Sequence, residues 1–136
     1  YEPSGYKPPL IGRHWVWGVT DCLSLVEDWY SQEKKINFKK ATRPLTPEIF
    51  HENPQSKEDG DFNNYFITAG FRLLEPNEKL ENGDVLAMSI LGKGLNHVGI
   101  FLDGDVLHHL GDRISCKEPY NEWLFKCTGA RYRYDA

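Results

Sequence analysis

A chain of 136 residues is long enough for one packed domain and leaves no room for a second core. With 40% hydrophobic and 13% aromatic residues it carries the material for an interior, which excludes a disordered segment. Sixteen Lys and Arg against twenty Asp and Glu leave a formal charge of -4, so no nucleic-acid partner is expected, because a phosphate-backbone binder concentrates a basic face.

The opening stretch, with Pro3, Gly5, Pro8 and Pro9, reads as a linker or N-terminal extension over residues 1–11, ahead of a single domain over 12–136. The first helix is expected from Thr20 to Lys34. Thr20 or Asp21 can cap it, Leu25, Val26, Trp29 and Tyr30 recur at helical spacing, and Lys34 and Lys35 suit the negative end of its dipole. Trp15, Trp17, Trp29 and Tyr30 form an aromatic group around that helix and read as core, with Trp15 and Trp17 also placed to border a cleft. A polar stretch with Pro44, Pro47 and Pro54 follows as loop. Phe62, Tyr65 and Phe66 then suggest a second helix from Lys57 to Ala69, stopped by Gly70, although Gly60 in its interior weakens it.

The second half changes period. Asp84–Met88 reads as a buried strand after the turn Asn82-Gly83, and Gly92, Gly94 and Asn96 mark a loop. His97–Leu102 and Asp105–Leu110 form a hairpin around Asp103-Gly104, with further strands near Arg113–Cys116 and Ala130–Tyr134. Helices first and an antiparallel sheet afterwards make an α+β domain. No apolar run approaches the roughly 20 residues of a membrane-spanning helix, so no membrane insertion is expected.

Three cysteines, Cys22, Cys116 and Cys127, leave at least one free thiol, and the absence of a C-x-x-C pair argues against a structural zinc. Cys116 and Cys127 read equally as two thiols or as one disulfide. Cys22 stands apart because it follows the helix cap. Amide N–H groups and the positive end of the dipole stabilise a thiolate there, and can bring a thiol from about 8.5 down to about 3.5–7.5. The same N–H groups suit an oxyanion.

A thiol nucleophile needs a base, and three of the five histidines fall late: His97, His108 and His109. A two-residue turn at Asp103-Gly104 pairs Leu102 with Asp105. His97 then shares its face with His108, while His109 points to the other side. A three-residue loop with a bulge reverses the parity and selects His109. The two-residue turn is the expected one. Asp21 reads as a capping residue rather than an acid catalyst.

Three segments carry a resemblance. Gly12–Cys22 (G-R-H-W-V-W-G-V-T-D-C), Leu80–Leu86 (L-E-N-G-D-V-L) and Asn96–Leu102 (N-H-V-G-I-F-L) together resemble the NlpC-type cysteine peptidases, papain-like cell-wall enzymes. The pattern G-R-x-x-x-x-G-V-x-D-C and the late Leu107-His108-His109-Leu110 are similar to a branch of that family in the tail tips of lambda-like phages. The resemblance implies a papain-like fold with Cys22 as nucleophile, His97 as base and His108 as the orienting third residue. This hairpin is one residue shorter than usual in the family, so His109 stays open as the alternative third residue. Leu23-Ser24 stand where many members have Ser-Gly, and the family's tyrosine upstream of the nucleophile has no clear counterpart.

The implied activity is hydrolysis of amide bonds in peptidoglycan stem peptides, typically γ-D-glutamyl-diaminopimelate, with no metal and no organic cofactor. The implied setting is a virion tail, acting in the host periplasm or cell wall beside other tail-tip proteins. A catalytically silent tail-tip or peptidoglycan-binding module of the same fold is the alternative.

Overall fold

A computed structural model of the chain describes residues 10–16, 21–38, 60–90, 96–111 and 113–135. The expected linker ahead of Leu10, Trp17, Thr20, the loop with Pro44, Pro47 and Pro54, and the loop glycines Gly92 and Gly94 lie outside the described residues.

In chain order the elements are α1 (Cys22–Trp29), a π-helical turn (Tyr30–Lys34), α2 (Gly60–Thr68), β1 (Phe71–Leu73), β2 (Val85–Met88), β3 (His97–Leu102), β4 (Asp105–His108), β5 (Cys116–Pro119), α3 (Glu122–Cys127) and β6 (Thr128–Tyr134). The strands form one sheet in the order β1-β6-β2-β3-β4-β5, and every neighbouring pair is antiparallel. This is the expected α+β architecture.

The two sheet faces have different covers. On one, Leu25 and Val26 of α1 and Phe62 and Phe66 of α2 join Val85, Ala87, Val98, Ile100 and Leu107 in a single buried cluster. On the other, Leu124 of α3 packs with Leu86, Met88 and Val106. Strands covered on both sides lose the polar alternation of a half-exposed sheet, which is why β2 reads as an unbroken apolar run.

The sequence placed most elements within a few residues, and the exceptions have identifiable physical causes. The expected first helix changes winding at Tyr30, whose ring meets Trp29, Phe38, Phe71 and Tyr134 edge-on or tilted. Its hydroxyl donates to the Gly83 carbonyl, and burial pushes its pKa well above the usual phenol range. Gly83 has a φ of 97° and would place any Cβ 3.1 Å from the Trp29 ring, so the Asn82-Gly83 turn fits against α1 only as glycine. Trp29 and Tyr30 are core as expected, whereas Trp15 is only half-buried. α2 is described from Gly60 onward, its expected start at Lys57 lies outside the described residues, and Gly70, at φ 103°, follows its end.

The fifth strand lies at Cys116–Pro119, not at Arg113–Cys116, because Ser115 is used elsewhere. Its N–H donates to the Arg13 carbonyl, its carbonyl accepts from Gly12, and its hydroxyl bridges the Arg13 N–H and the Leu10 carbonyl. Two short elements had no sequence signal strong enough to predict them. β1 has three residues, and α3 has six, started by the Asn121 side chain accepting from the Leu124 N–H.

Candidate active site

Cys22 is the first residue of α1 and is 8% exposed. Asp21 caps the helix: its carboxylate accepts from the Ser24 N–H at 2.9 Å, and the Ser24 hydroxyl accepts from the Asp21 N–H at 2.8 Å. This reciprocal pair fixes the angle at which the chain enters the helix, and therefore where Cys22 begins. Asp21 is buried in that structural task, as the sequence suggested. Arg13, from the motif upstream, reaches Asp28 on the same helix with a 2.8 Å ion pair. α1 lies against β3 and β4, and Cys22 belongs to the same buried cluster as Val98; His97, the first residue of β3 and next to Val98, pairs with Met88 and turns toward the opposite face.

The register of the hairpin decides which histidine joins His97. Leu102 pairs with Asp105, and Asp103 and Gly104 sit at φ 50° and 85°, the two-residue turn expected from an Asp-Gly pair. Gly99 is therefore opposite His108, and His97 and His108 share a face. Their rings meet: His97 Nε2 lies 2.9 Å from His108 Nδ1, with both side chains buried.

The line of hydrogen bonds continues outward. His108 Nε2 lies 2.7 Å from a carboxylate oxygen of Glu118 on β5, whose side chain is 40% exposed. That bond holds the Glu118 carboxyl below the usual carboxylate range, although partial burial opposes it. A carboxylate only accepts, so His108 Nε2 carries a proton. In a neutral His108, Nδ1 is then the acceptor and His97 Nε2 the donor. Glu118 thus determines where the protons sit on two buried rings.

Glu118 was not anticipated. The strand that carries it was expected three residues too early, which stopped at Cys116 and left Glu118 out of the sheet. The recoverable signal was the alternation Cys116, Glu118, which puts both side chains on one face opposite His108 and Val106.

His109 is wholly buried on the opposite side of β4, where Nε2 donates to the Arg113 carbonyl at 2.7 Å. Its Nδ1 is the buried side-chain polar atom left without a partner among the described residues, and burial holds its basicity below the usual imidazole range. The structure brings His97 and His108 together and leaves His109 out of that contact.

Cys116 and Cys127 are separate thiols, not a disulfide. Cys116 Sγ lies 3.6 Å from the Glu118 carboxylate, and burial followed by the negative charge of Glu118 pushes this thiol up. A surface pocket of about 330 Å³, lined by Leu110, Arg113, Ile114, Cys116 and Glu118, opens at this outer end of the hydrogen-bonded line.

The model of the NlpC/P60 family matches residues 12–132. The tail tip assembly protein K of Escherichia phage N15 is 31% identical over 134 residues, covering 98% of this chain and 52% of that protein. The tail tip assembly protein K of Escherichia phage lambda is 27% identical over 133 residues, covering 95% of this chain and 61% of that protein. The chain spans about half to three-fifths of the length of these curated relatives.

Proposed function

This chain belongs to the NlpC/P60 family, and on that premise we propose that it is a cysteine peptidase that opens amide bonds in peptidoglycan stem peptides. Cys22 is the nucleophile, His97 the general base and acid, and His108 the residue that holds His97 in place. The observation that carries this reading is the 2.9 Å contact between His97 Nε2 and His108 Nδ1, on the strands against which the Cys22 helix packs.

In the proposed cycle, His97 Nδ1 takes the thiol proton as Cys22 Sγ attacks the scissile carbonyl. The first-turn amides of α1 and its dipole stabilise the oxyanion. Collapse breaks the C–N bond, the leaving amine takes the proton from His97, and a thioester remains on Cys22. Water then gives a proton to His97 and attacks the thioester, and the thiolate leaves with the stem peptide's carboxylate released. His108 keeps His97 Nε2 engaged throughout, so the ring presents the same nitrogen to the thiol at every turnover.

The tail-tip names of the relatives support a tail-associated setting, in which local opening of the wall accompanies penetration or tail-tip assembly. The γ-D-glutamyl-diaminopimelate bond is the proposed target within the stem.

The test is digestion of purified Gram-negative sacculi by this chain and by Cys22→Ala, with released fragments read by mass spectrometry. Cleaved stem peptides from the native chain alone are expected, and their masses identify the bond. Equal release from both, or none from either when both are folded, overturns the reading, and the second outcome favours a silent tail-tip module.

A further inference from the structure

We infer that His108, Cys116 and Glu118 form a binding site for a single zinc ion, and that zinc held there switches off the proposed peptidase centre by reversing the proton positions on His108 and His97. The inhibitory half rests on the peptidase reading given above; the binding half does not.

The three side chains supply one imidazole nitrogen, one thiol sulfur and one carboxylate oxygen, all within 4.8 Å of one another. They stand on paired strands rather than on loops: His108 is directly opposite Cys116, and Glu118 follows on the same face of β5. Zinc bonds of about 2.0–2.3 Å in a tetrahedron put the ligand atoms roughly 3.3–3.6 Å apart. The 3.6 Å between Cys116 Sγ and Glu118 already suits that spacing, Cys116 Sγ, within 4.8 Å of His108, has to close on it by up to about 1.2 Å, and the 2.7 Å between His108 and Glu118 has to open by about 0.6 Å. Glu118 is the member free to make that adjustment, since its side chain is 40% exposed whereas His108 is fully buried. The pocket beside Cys116 and Glu118 leaves the fourth position to water.

The donor set also selects the ion. A thiolate with imidazole and one carboxylate suits zinc, whereas magnesium and calcium require oxygen ligands. Arg113 lines the pocket and opposes a cation, but it is exposed and its charge is screened by solvent.

Occupancy changes the histidine pair in a defined way. Zinc binds the lone pair of a neutral imidazole, so His108 Nε2 must give up the proton now shared with Glu118, and the ring's proton must sit on Nδ1. That proton then points at His97 Nε2, which has to become the acceptor. His97 in turn carries its single proton on Nδ1, the nitrogen proposed to receive the thiol proton. Each ring keeps one proton, Cys116 loses one to solvent, and no electron moves.

The test titrates the reduced full chain with zinc against a chromophoric chelator, and with cobalt to read a thiolate charge-transfer band. One ion per chain is expected for the native protein and for Cys22→Ala, with about one proton released and affinity at least about a hundredfold weaker in Cys116→Ala. Equal affinity in Cys116→Ala, or loss of binding in Cys22→Ala, overturns the site. Nitrogen chemical shifts of His97 should change from the Nε2–H to the Nδ1–H form on zinc addition, and unchanged shifts overturn the switch. In the sacculus assay zinc should arrest the native chain and spare Cys116→Ala. Absence of hydrolysis without zinc counts against the peptidase reading alone, because binding and ring shifts are measured without substrate.

Discussion

An ideal Cβ at Gly99 falls 3.0 Å from the Cβ of His108, and also 2.8 Å from Val106 Cγ1 and 3.1 Å from the Leu107 carbonyl. The glycine in the middle of β3 is therefore the space in which the paired strand seats the second histidine. Gly99→Ala should force β4 outward, costing about 1–3 kcal/mol of stability and displacing His108 from His97. Urea unfolding should show the loss of stability, and sacculus digestion a fall in rate larger than unfolding accounts for. A variant as active as the native chain would mean that the His97–His108 contact is not needed.

His108 and His109 are adjacent in sequence, and the proposed mechanism gives them opposite consequences. His108→Ala should lower the rate of stem-peptide hydrolysis by about 10²–10⁴-fold. His109→Ala should leave it within about twofold, while costing about 1–3 kcal/mol of stability through the lost bond to Arg113. Parallel rate and unfolding measurements on the two variants separate these outcomes, and a reversed pattern would make His109 the third residue.

In the proposed peptidase Glu118 acts through His108 rather than on the substrate. Glu118→Ala should reduce kcat by about 10–100-fold with little change in KM. Glu118→Gln, which retains an acceptor oxygen for His108 Nε2–H, should recover part of the loss. The pH dependence of kcat should shift in the alanine variant, a change that a merely structural role for Glu118 would not produce.

A different carboxylate contributes to the pH dependence of stability. Both Arg72 guanidinium NH₂ nitrogens donate to the Glu78 carboxylate at 2.9 Å, the Glu75 N–H adds a third bond, and the Glu78 pKa is lowered to about 2. An unfolded glutamate titrates near 4.3, so this stabilisation is complete above that pH and is lost progressively as pH falls toward about 2. Urea midpoints at pH 6 and pH 3 should differ less for Glu78→Gln than for the native chain. Identical pH dependence in the two would show that the Arg72 clamp contributes nothing.

Local chemistry made much of this fold and site legible. Asp103-Gly104 specifies a tight turn, which sets the hairpin register and thereby chooses His108 over His109 without any knowledge of the tertiary structure. Asp21 was recognisable as a cap because a short polar residue precedes an apolar helical pattern. Glu118 was not legible for the opposite reason. Its place depends on Ser115 being held by Leu10, Gly12 and Arg13, about a hundred residues earlier, which delays the start of β5. The π turn at Tyr30 likewise follows from an aromatic cluster assembled by Phe38, Phe71 and Tyr134, and no local window of sequence contains it.

The position of β6 between β1 and β2 constrains the order in which the sheet can assemble during synthesis. As the chain leaves the ribosome, β2, β3, β4 and β5 can pair in turn as a meander, whereas β1 has no neighbour until Thr128–Tyr134 emerges. During that interval Val85–Met88, apolar throughout, presents a bare strand edge, the kind of surface on which nascent chains pair with one another. The last strand made is thus the one that closes the sheet, and a ribosome stalled before it releases a hazard rather than a smaller domain.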